Sequence, residues 1–308
     1  MQIVTIQNLK KIFKDKEVLK GINLEIPENS IFGFIGKNGA GKTTTMKSIL
    51  GLLKVDEGSI KIYDDIVTFG ENKTNKYIGY LPDVPEFYRF MNAREYLKLC
   101  GEALGLANDI VVKRTEELLT LVGLANEVSR IKGYSRGMKQ RLGIAQALLG
   151  KPKLLICDEP TSALDPKGRK EILDILSSVK NETTVLFSTH ILTDVERICT
   201  HVVFLDEGVI KLQGKIDEIK KMHQSNEYII QFLDENHAKK ISKRFELDLV
   251  NPIEVKVLVQ KLNEVLAYMI KENIAFSKIE FLEKTLESFY LEVIQKWSRF
   301  YHFSRKNY

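Results

Sequence analysis

Gly36-Lys37-Asn38-Gly39-Ala40-Gly41-Lys42-Thr43 fits the pattern G-x-x-x-x-G-K-[ST]. The apolar run Ile31-Phe32-Gly33-Phe34-Ile35 before it reads as a buried strand. The segment Thr44-Thr45-Met46-Lys47-Ser48-Ile49-Leu50 after it reads as a helix closing at Gly51. Strand, loop and helix in that order is the setting in which this pattern cradles phosphate groups. Its glycines allow φ angles that turn backbone N–H groups inward. The helix N-terminus adds partial positive charge. Gly36, Lys37, Asn38, Gly39, Ala40 and Gly41 are the expected cradle. Lys42 is expected to reach the β- and γ-phosphates, and the Thr43 hydroxyl to sit on Mg²⁺.

Working outward, Leu154-Leu155-Ile156-Cys157-Asp158-Glu159 is an apolar strand ending in two carboxylates. Acids at the C-terminal end of a buried strand face the ligand crevice of an open α/β sheet. Asp158 is the expected Mg²⁺ ligand and Glu159 the general base that polarises the attacking water, which is most of what phosphoryl transfer needs. Upstream, Tyr134-Ser135-Arg136-Gly137-Met138 opens a helical run that stops at Gly150. Ser135 is the expected N-cap, and the helix start is a second anion site.

Composition bounds the class. The chain has 308 residues, 44% of them hydrophobic and 28% charged, as in ordinary globular proteins. That length suggests roughly two domains. No apolar run approaches ~18 residues, so no membrane span is expected. The N-terminus lacks a charged leader followed by an apolar core, so no signal peptide is expected. The net charge of +5 demands no nucleic-acid partner. Cys100, Cys157 and Cys199 are too scattered for a metal set and read as buried free thiols.

The coarse pattern predicts strands at Ile3–Gln7 and Ile22–Ile26, a strand at Ser59–Tyr63 and mostly helix over 93–150. A helix over Lys170–Val179 and a strand over Thr183–Ser188 follow. Val202–Leu205 and Val209–Leu212 read as a hairpin turning at Asp206-Glu207-Gly208. Residues 1–215 are thus expected to be an α/β unit with a mixed sheet and a helical subdomain at about 88–150. Residues 216–226 read as a linker. Residues 227–296 follow the order βαββαβ of a small α+β, ferredoxin-like unit, with its second strand at Glu246–Val250 and a closing helix over Glu283–Gln295. The tail 297–308 mixes aromatic and basic residues; it reads either as a membrane-surface segment or as a fraying end.

Taken together with Ser162-Ala163-Leu164-Asp165 and His190 after Phe187-Ser188-Thr189, these motifs resemble the ATP-binding cassette (ABC) family. The order and spacing of residues 1–215 fit that family. The resemblance implies a P-loop nucleoside triphosphatase that binds ATP with Mg²⁺. It gives Phe13, in Leu9–Phe13, the role of stacking on adenine. Lys42, Thr43 and Thr44 contact the phosphates and the metal, and His190 touches the γ-phosphate. Asp165 lies at a dimer seam. Ser135 and Gly137 reach the γ-phosphate of an opposing subunit, so a homodimer, or a paired cassette, sandwiches two ATP molecules.

Two positions depart from the family pattern. Tyr134-Ser135-Arg136-Gly137-Met138 stands where Leu-Ser-Gly-Gly-Gln is usual. Asp83 stands where Gln is usual, in Ile78-Gly79-Tyr80-Leu81-Pro82-Asp83, the loop resembling the one that couples ATP to the transport subunits. Asp is shorter than Gln; it can ligate Mg²⁺ but cannot donate an amide hydrogen bond. Both departures, and Phe281–Val293, resemble the bacitracin and lantibiotic exporter branch. The expected protein is the ATPase subunit of an exporter of a peptide antibiotic or other amphipathic compound, partnered by integral membrane permeases and not by nucleic acid. It would lie in the cytoplasm, peripheral to the inner face of the cell membrane. The region Asp83–Tyr96, with Phe87, Tyr88, Phe90 and Met91, is the expected coupling surface. A soluble cassette ATPase is the alternative. Chromosome-type members need a long coiled-coil arm between loop and signature, and translation-type members two cassettes; this chain has neither. A binding module without hydrolysis is disfavoured by Glu159 and His190.

Overall fold

The computed structural model describes residues 1–71, 73–222 and 226–282, with 286, 289 and 290 beyond. It divides into two compact units, Met1–Asp217 and Glu218–Tyr308.

The first unit opens with β1 (Gln2–Phe13) and β2 (Lys16–Pro27), an antiparallel pair. Both strands are longer than the short apolar runs predict. Bulges explain this: the register shifts between Ile6 and Leu9, where Asn8 has φ 46, so the alternation that marks a strand in sequence is broken there. Next come β3 (Ile31–Ile35), α1 (Lys42–Ile49), β4 (Glu57–Ile62) and β5 (Asp65–Ile66). The outer sheet runs β2-β1-β4-β5. Ile78–Leu81 forms β6, which sequence reading treats only as a loop.

Three helices follow: α2 (Ala93–Ala103), α3 (Asn108–Leu121) and α4 (Arg136–Leu148). Asn92 and Glu95 form a capping box at the start of α2, with bonds of 3.0 and 2.9 Å, worth about 1 kcal/mol. Leu97, Val111, Leu118, Leu119 and Leu142 are buried on these helices. Helix α4 is pressed against β6. A methyl on Gly79 would run into the Ala147 carbonyl, and the buried Gln140 amide donates to the Asp83 carbonyl at 2.6 Å.

The strands that complete the central sheet, and the helices between them, are β7 (Leu154–Cys157), α5 (Pro166–Ser178), β8 (Thr184–Thr189), α6 (Leu192–Ile198), β9 (His201–Asp206) and β10 (Val209–Lys215); α7 (Ile216–Met222) runs across the boundary at Asp217. Its order is β10-β9-β3-β8-β7-β6. All neighbours are parallel except β10 and β9, which form the hairpin expected at Glu207-Gly208; those two residues have φ 47 and 78, as a tight primed turn requires. The parallel strands β3, β7 and β8 are buried on both faces, which is why their sequences are unbroken apolar runs. The phosphate loop leaves β3, a central strand, and the paired acids leave β7, two strands away.

In the second unit, β11 (Glu227–Phe232), α8 (Glu235–Phe245), β12 (Leu249–Asn251), β13 (Glu254–Leu258), α9 (Val259–Lys271) and β14 (Phe276–Phe281) build a four-stranded antiparallel sheet in the order β12-β13-β11-β14. This is the ferredoxin-like succession. Val255 and Val257 point into the core while Lys256 points out, and Ile230, Phe232, Ile241 and Val265 complete the core. The expected strand at Glu246–Val250 starts later because Glu246 caps α8 in the left-handed region (φ 52). The closing helix expected at 283–295 lies outside the described residues except at 286, 289 and 290, and the tail 297–308 lies wholly outside them.

Candidate active site

The loop from Gly36 to Gly41 turns back over the end of β3. Gly41 has φ 113, and a methyl there would come within 2.6 Å of Leu19 Cδ2, so only glycine fits. Gly41 also stands at the N-cap of α1 and supplies no side-chain bond, leaving the first-turn N–H groups to an outside acceptor. Lys37, Asn38 and Gly39 are exposed, whereas Lys42 is buried. The Lys42 ammonium curls back along the loop and donates to the carbonyls of Gly36 (2.6 Å) and Lys37 (3.3 Å). Thr43 and Thr44 follow on the first turn of α1.

The register of β7 against β8 places Cys157 beside Phe187, so Asp158 and Ser188 leave the sheet side by side. The Ser188 hydroxyl donates to Asp158 Oδ1 at 2.6 Å and accepts the Glu159 backbone N–H at 2.9 Å. The other Asp158 oxygen accepts from the Thr43 hydroxyl at 2.8 Å, joining α1 to β7. Glu159 has φ 47, a left-handed conformation uncommon for a side-chain-bearing residue. Its carboxylate lies between the His190 ring and the Lys42 ammonium. His190 Nδ1 is 2.9 Å from Oε2 and Lys42 Nζ is 3.1 Å from Oε1. The Lys42 approach is a charge contact without hydrogen-bond alignment, since Oε1 has no hydrogen-bond partner. Burial, with Asp158 nearby, pushes the Tyr80 phenol up to about 12, so it stays neutral.

Lys42, Thr43, Asp158, Glu159 and His190 thus form one connected set. Thr43 Oγ1 and Asp158 Oδ2 are hard oxygen donors already facing each other, which fits Mg²⁺ completed by water and phosphate oxygens. Among the described residues no three His, Cys, Asp or Glu side chains converge as an all-protein metal cage.

The other expected residues lie on separate elements. Phe13 is half-exposed at the tip of the β1–β2 hairpin, with the Lys11 ammonium 5.1 Å from its ring centre. The Asp83 carboxylate pairs with Arg136 at 3.4 Å. Ser135 caps α4, accepting from Met138 N at 3.2 Å, and Gly137 is in the first turn. Asp165 caps α5, accepting from Gly168 N at 3.1 Å.

Sequence reading missed two features. Ser188 appears there only as a neighbour of His190, although it fastens both acids. The second is a buried cluster around Asp194, whose carboxylate accepts from Thr161 Oγ1 at 2.7 Å and Arg169 Nε at 2.6 Å, while Arg169 Nη2 donates to Thr193 Oγ1 at 2.9 Å. A buried acid placed inside a short amphipathic helix carries no local signal; only Arg169, one turn past the Asp165 cap, hints at a partner.

Residues 19–162 match the family model described as ABC transporter. The chain is 38% identical to the ABC transporter ATP-binding protein YxlF of Bacillus subtilis, over 95% of this chain and 99% of that one. It is 32% identical to the bacitracin transport ATP-binding protein BcrA of Bacillus licheniformis, over 95% and 97%. The lantibiotic transport ATP-binding protein SrtF of Streptococcus pyogenes is 38% identical over 72% of this chain and 95% of its own length. Among solved structures, an ATP-binding subunit of an ABC transporter aligns with a TM-score of 0.65 at 32% identity, covering 71% of this chain and 92% of that one. Another, cbiO1 from Clostridium perfringens, part of the transporter complex cbiONQ, aligns at 0.66 with 26% identity, over 80% and 96%.

Proposed function

This chain is an ATP-binding subunit of the ABC transporter family, and from that premise we propose that it hydrolyses ATP at the Lys42–Thr43–Asp158–Glu159–His190 set to drive membrane permease subunits. The observation that carries this reading is the unbroken chain of contacts from Thr43 through Asp158 and Ser188 to Glu159 and His190.

Each member has one task. The loop N–H groups and Lys42 hold the β- and γ-phosphates. Thr43 and Asp158 would hold Mg²⁺, whose chemistry is to neutralise charge building on the phosphate oxygens. Glu159 accepts a proton from the attacking water. His190, bonded to Glu159, orients that carboxylate and reaches the γ-phosphate. Phe13 stacks on the adenine. Ser135 and Gly137 complete the site of a second copy, with Asp165 at the seam, so ATP favours the closed dimer by binding it better than the open one.

The permease contact is the groove of about 470 Å³ lined by Asp83, Val84, Phe87, Arg89, Arg136 and Lys139. Exposed Tyr88 and Phe90 flank it and, with Val84, supply apolar anchors. No described helix is long and apolar enough to cross a membrane. The names of BcrA and SrtF, together with the variant signature, support export of a peptide antibiotic or similar amphipathic cargo from the inner membrane face.

Glu159→Gln tests the reading: ATP binding persists, the protein elutes as an ATP-dependent dimer, and phosphate release stops. Phosphate release near the wild-type rate would remove Glu159 from the chemistry.

A further inference from the structure

Asp194 is a carboxylate with 2% exposure on the first turns of α6, away from the nucleotide loop and outside the set assigned above. Burying a charge is costly unless it is paired and fully bonded. Here one oxygen accepts from Thr161 at 2.7 Å and the other from the Arg169 guanidinium at 2.6 Å. The same guanidinium reaches Thr193 at 2.9 Å. A satisfied buried pair of this kind fixes geometry more than it adds stability.

Its attachment points are informative. Thr161 lies on the turn that carries Glu159, where Glu159 and Ala163 both take left-handed φ values of 47 and 53. Thr193 and Asp194 lie on the turn that follows His190. Arg169 stands in the first turns of α5, whose N-cap is Asp165. The cluster therefore joins the two turns that leave β7 and β8 with the catalytic side chains to the start of α5. Only the 2.9 Å contact between Glu159 and His190 joins their side chains directly, and His190 is half exposed.

We infer that Asp194 and Arg169 are a positioning pair for hydrolysis: the buried clamp holds the Glu159 turn and the His190 turn in register, so that general base and histidine meet. The inference rests on the assignment of Glu159 and His190 above. The clamp does not touch the phosphate loop, so ATP binding is independent of it.

The test is a set of steady-state and nucleotide-binding measurements on Asp194→Asn, Arg169→Lys and Thr161→Val. Asp194→Asn is expected to lower kcat about tenfold, as loss of alignment without loss of a reacting group does. Nucleotide affinity should stay within about twofold. Arg169→Lys and Thr161→Val, which keep the buried carboxylate paired, should fall between it and wild type. The discriminating measurement is the double variant. In a His190→Ala background, Asp194→Asn should cost less than about threefold, because a residue acting through His190 has little left to lose. Multiplied costs, a matching loss of ATP affinity, or unchanged kcat in all three variants would overturn the inference. Should Asp194→Asn fail to fold, the other two variants are judged by the same criteria. Glu159→Gln run in parallel separates the two readings. If it stays active, the assignment of the base fails; if it is inactive while kcat of the clamp variants is unchanged, only the clamp fails.

Discussion

Glu159 and His190 meet at 2.9 Å through a carboxylate oxygen and a ring nitrogen, although they come from different strands. The bond between them joins the proposed proton acceptor and the proposed phosphate contact into a single unit, and the consequences can be measured one residue at a time.

Replacing Glu159 by Gln keeps the shape and removes the proposed base. Hydrolysis should fall at least about a hundredfold, the usual scale for losing a general base, while ATP binding is retained. Single-turnover phosphate release against equilibrium nucleotide binding decides it.

Lys42→Ala should weaken ATP binding more than about tenfold, since one charge-assisted contact to phosphate contributes roughly 1.5–3 kcal/mol. Fluorescent-nucleotide titration measures this. Unchanged affinity would remove the loop from the binding site.

Ser188→Ala leaves the Glu159 N–H and one Asp158 oxygen without their partner. A buried unmet group costs about 1–3 kcal/mol, so the midpoint of denaturant unfolding should shift downward measurably. Phosphate release should fall as well, because both acids lose a support.

Asp83→Gln should leave thermal stability unchanged. The pair with Arg136 is exposed on both sides at 3.4 Å, and such pairs contribute close to nothing. Activity should be equal or higher, because Gln gains an amide donor. Complete loss of activity would show that the carboxylate has its own task.

Burial, reinforced by Asp158, holds the Cys157 thiol well above its usual range. The folded state therefore keeps its proton where the unfolded thiol releases it, and this contribution to stability is lost as pH rises above about 8.5. Alkylation at that pH should spare Cys157 in the native protein and modify it after unfolding, as intact-mass measurements will show.

The parts legible in sequence are those whose chemistry is local. The phosphate loop is contiguous. The Glu207-Gly208 turn needs two residues of positive φ, and the acids follow an apolar strand directly. The illegible parts depend on parallel strands brought together from far apart. Ser188 is 30 residues from the carboxylate it binds, and Asp194 is 25 from Arg169; no periodicity encodes either contact. The strand β6 escaped notice because Ile78-Gly79-Tyr80-Leu81 is short, contains a glycine and stops at a proline. That glycine reflects how closely α4 approaches, a demand of packing that no strand propensity records.

The same close approach makes α4 a cantilever. It is clamped to β6 where Ala147 overlies Gly79 and to the Asp83 carbonyl at Gln140, and the end beyond Gln140 carries Ser135. From the Gln140 clamp to the tip is roughly 7.5 Å at 1.5 Å rise per residue, so a tilt of about ten degrees there swings Ser135 through roughly 1.3 Å. That sweep separates a formed hydrogen bond from a lost one. A small rotation at the root of α4 is thereby converted into a decision at Ser135.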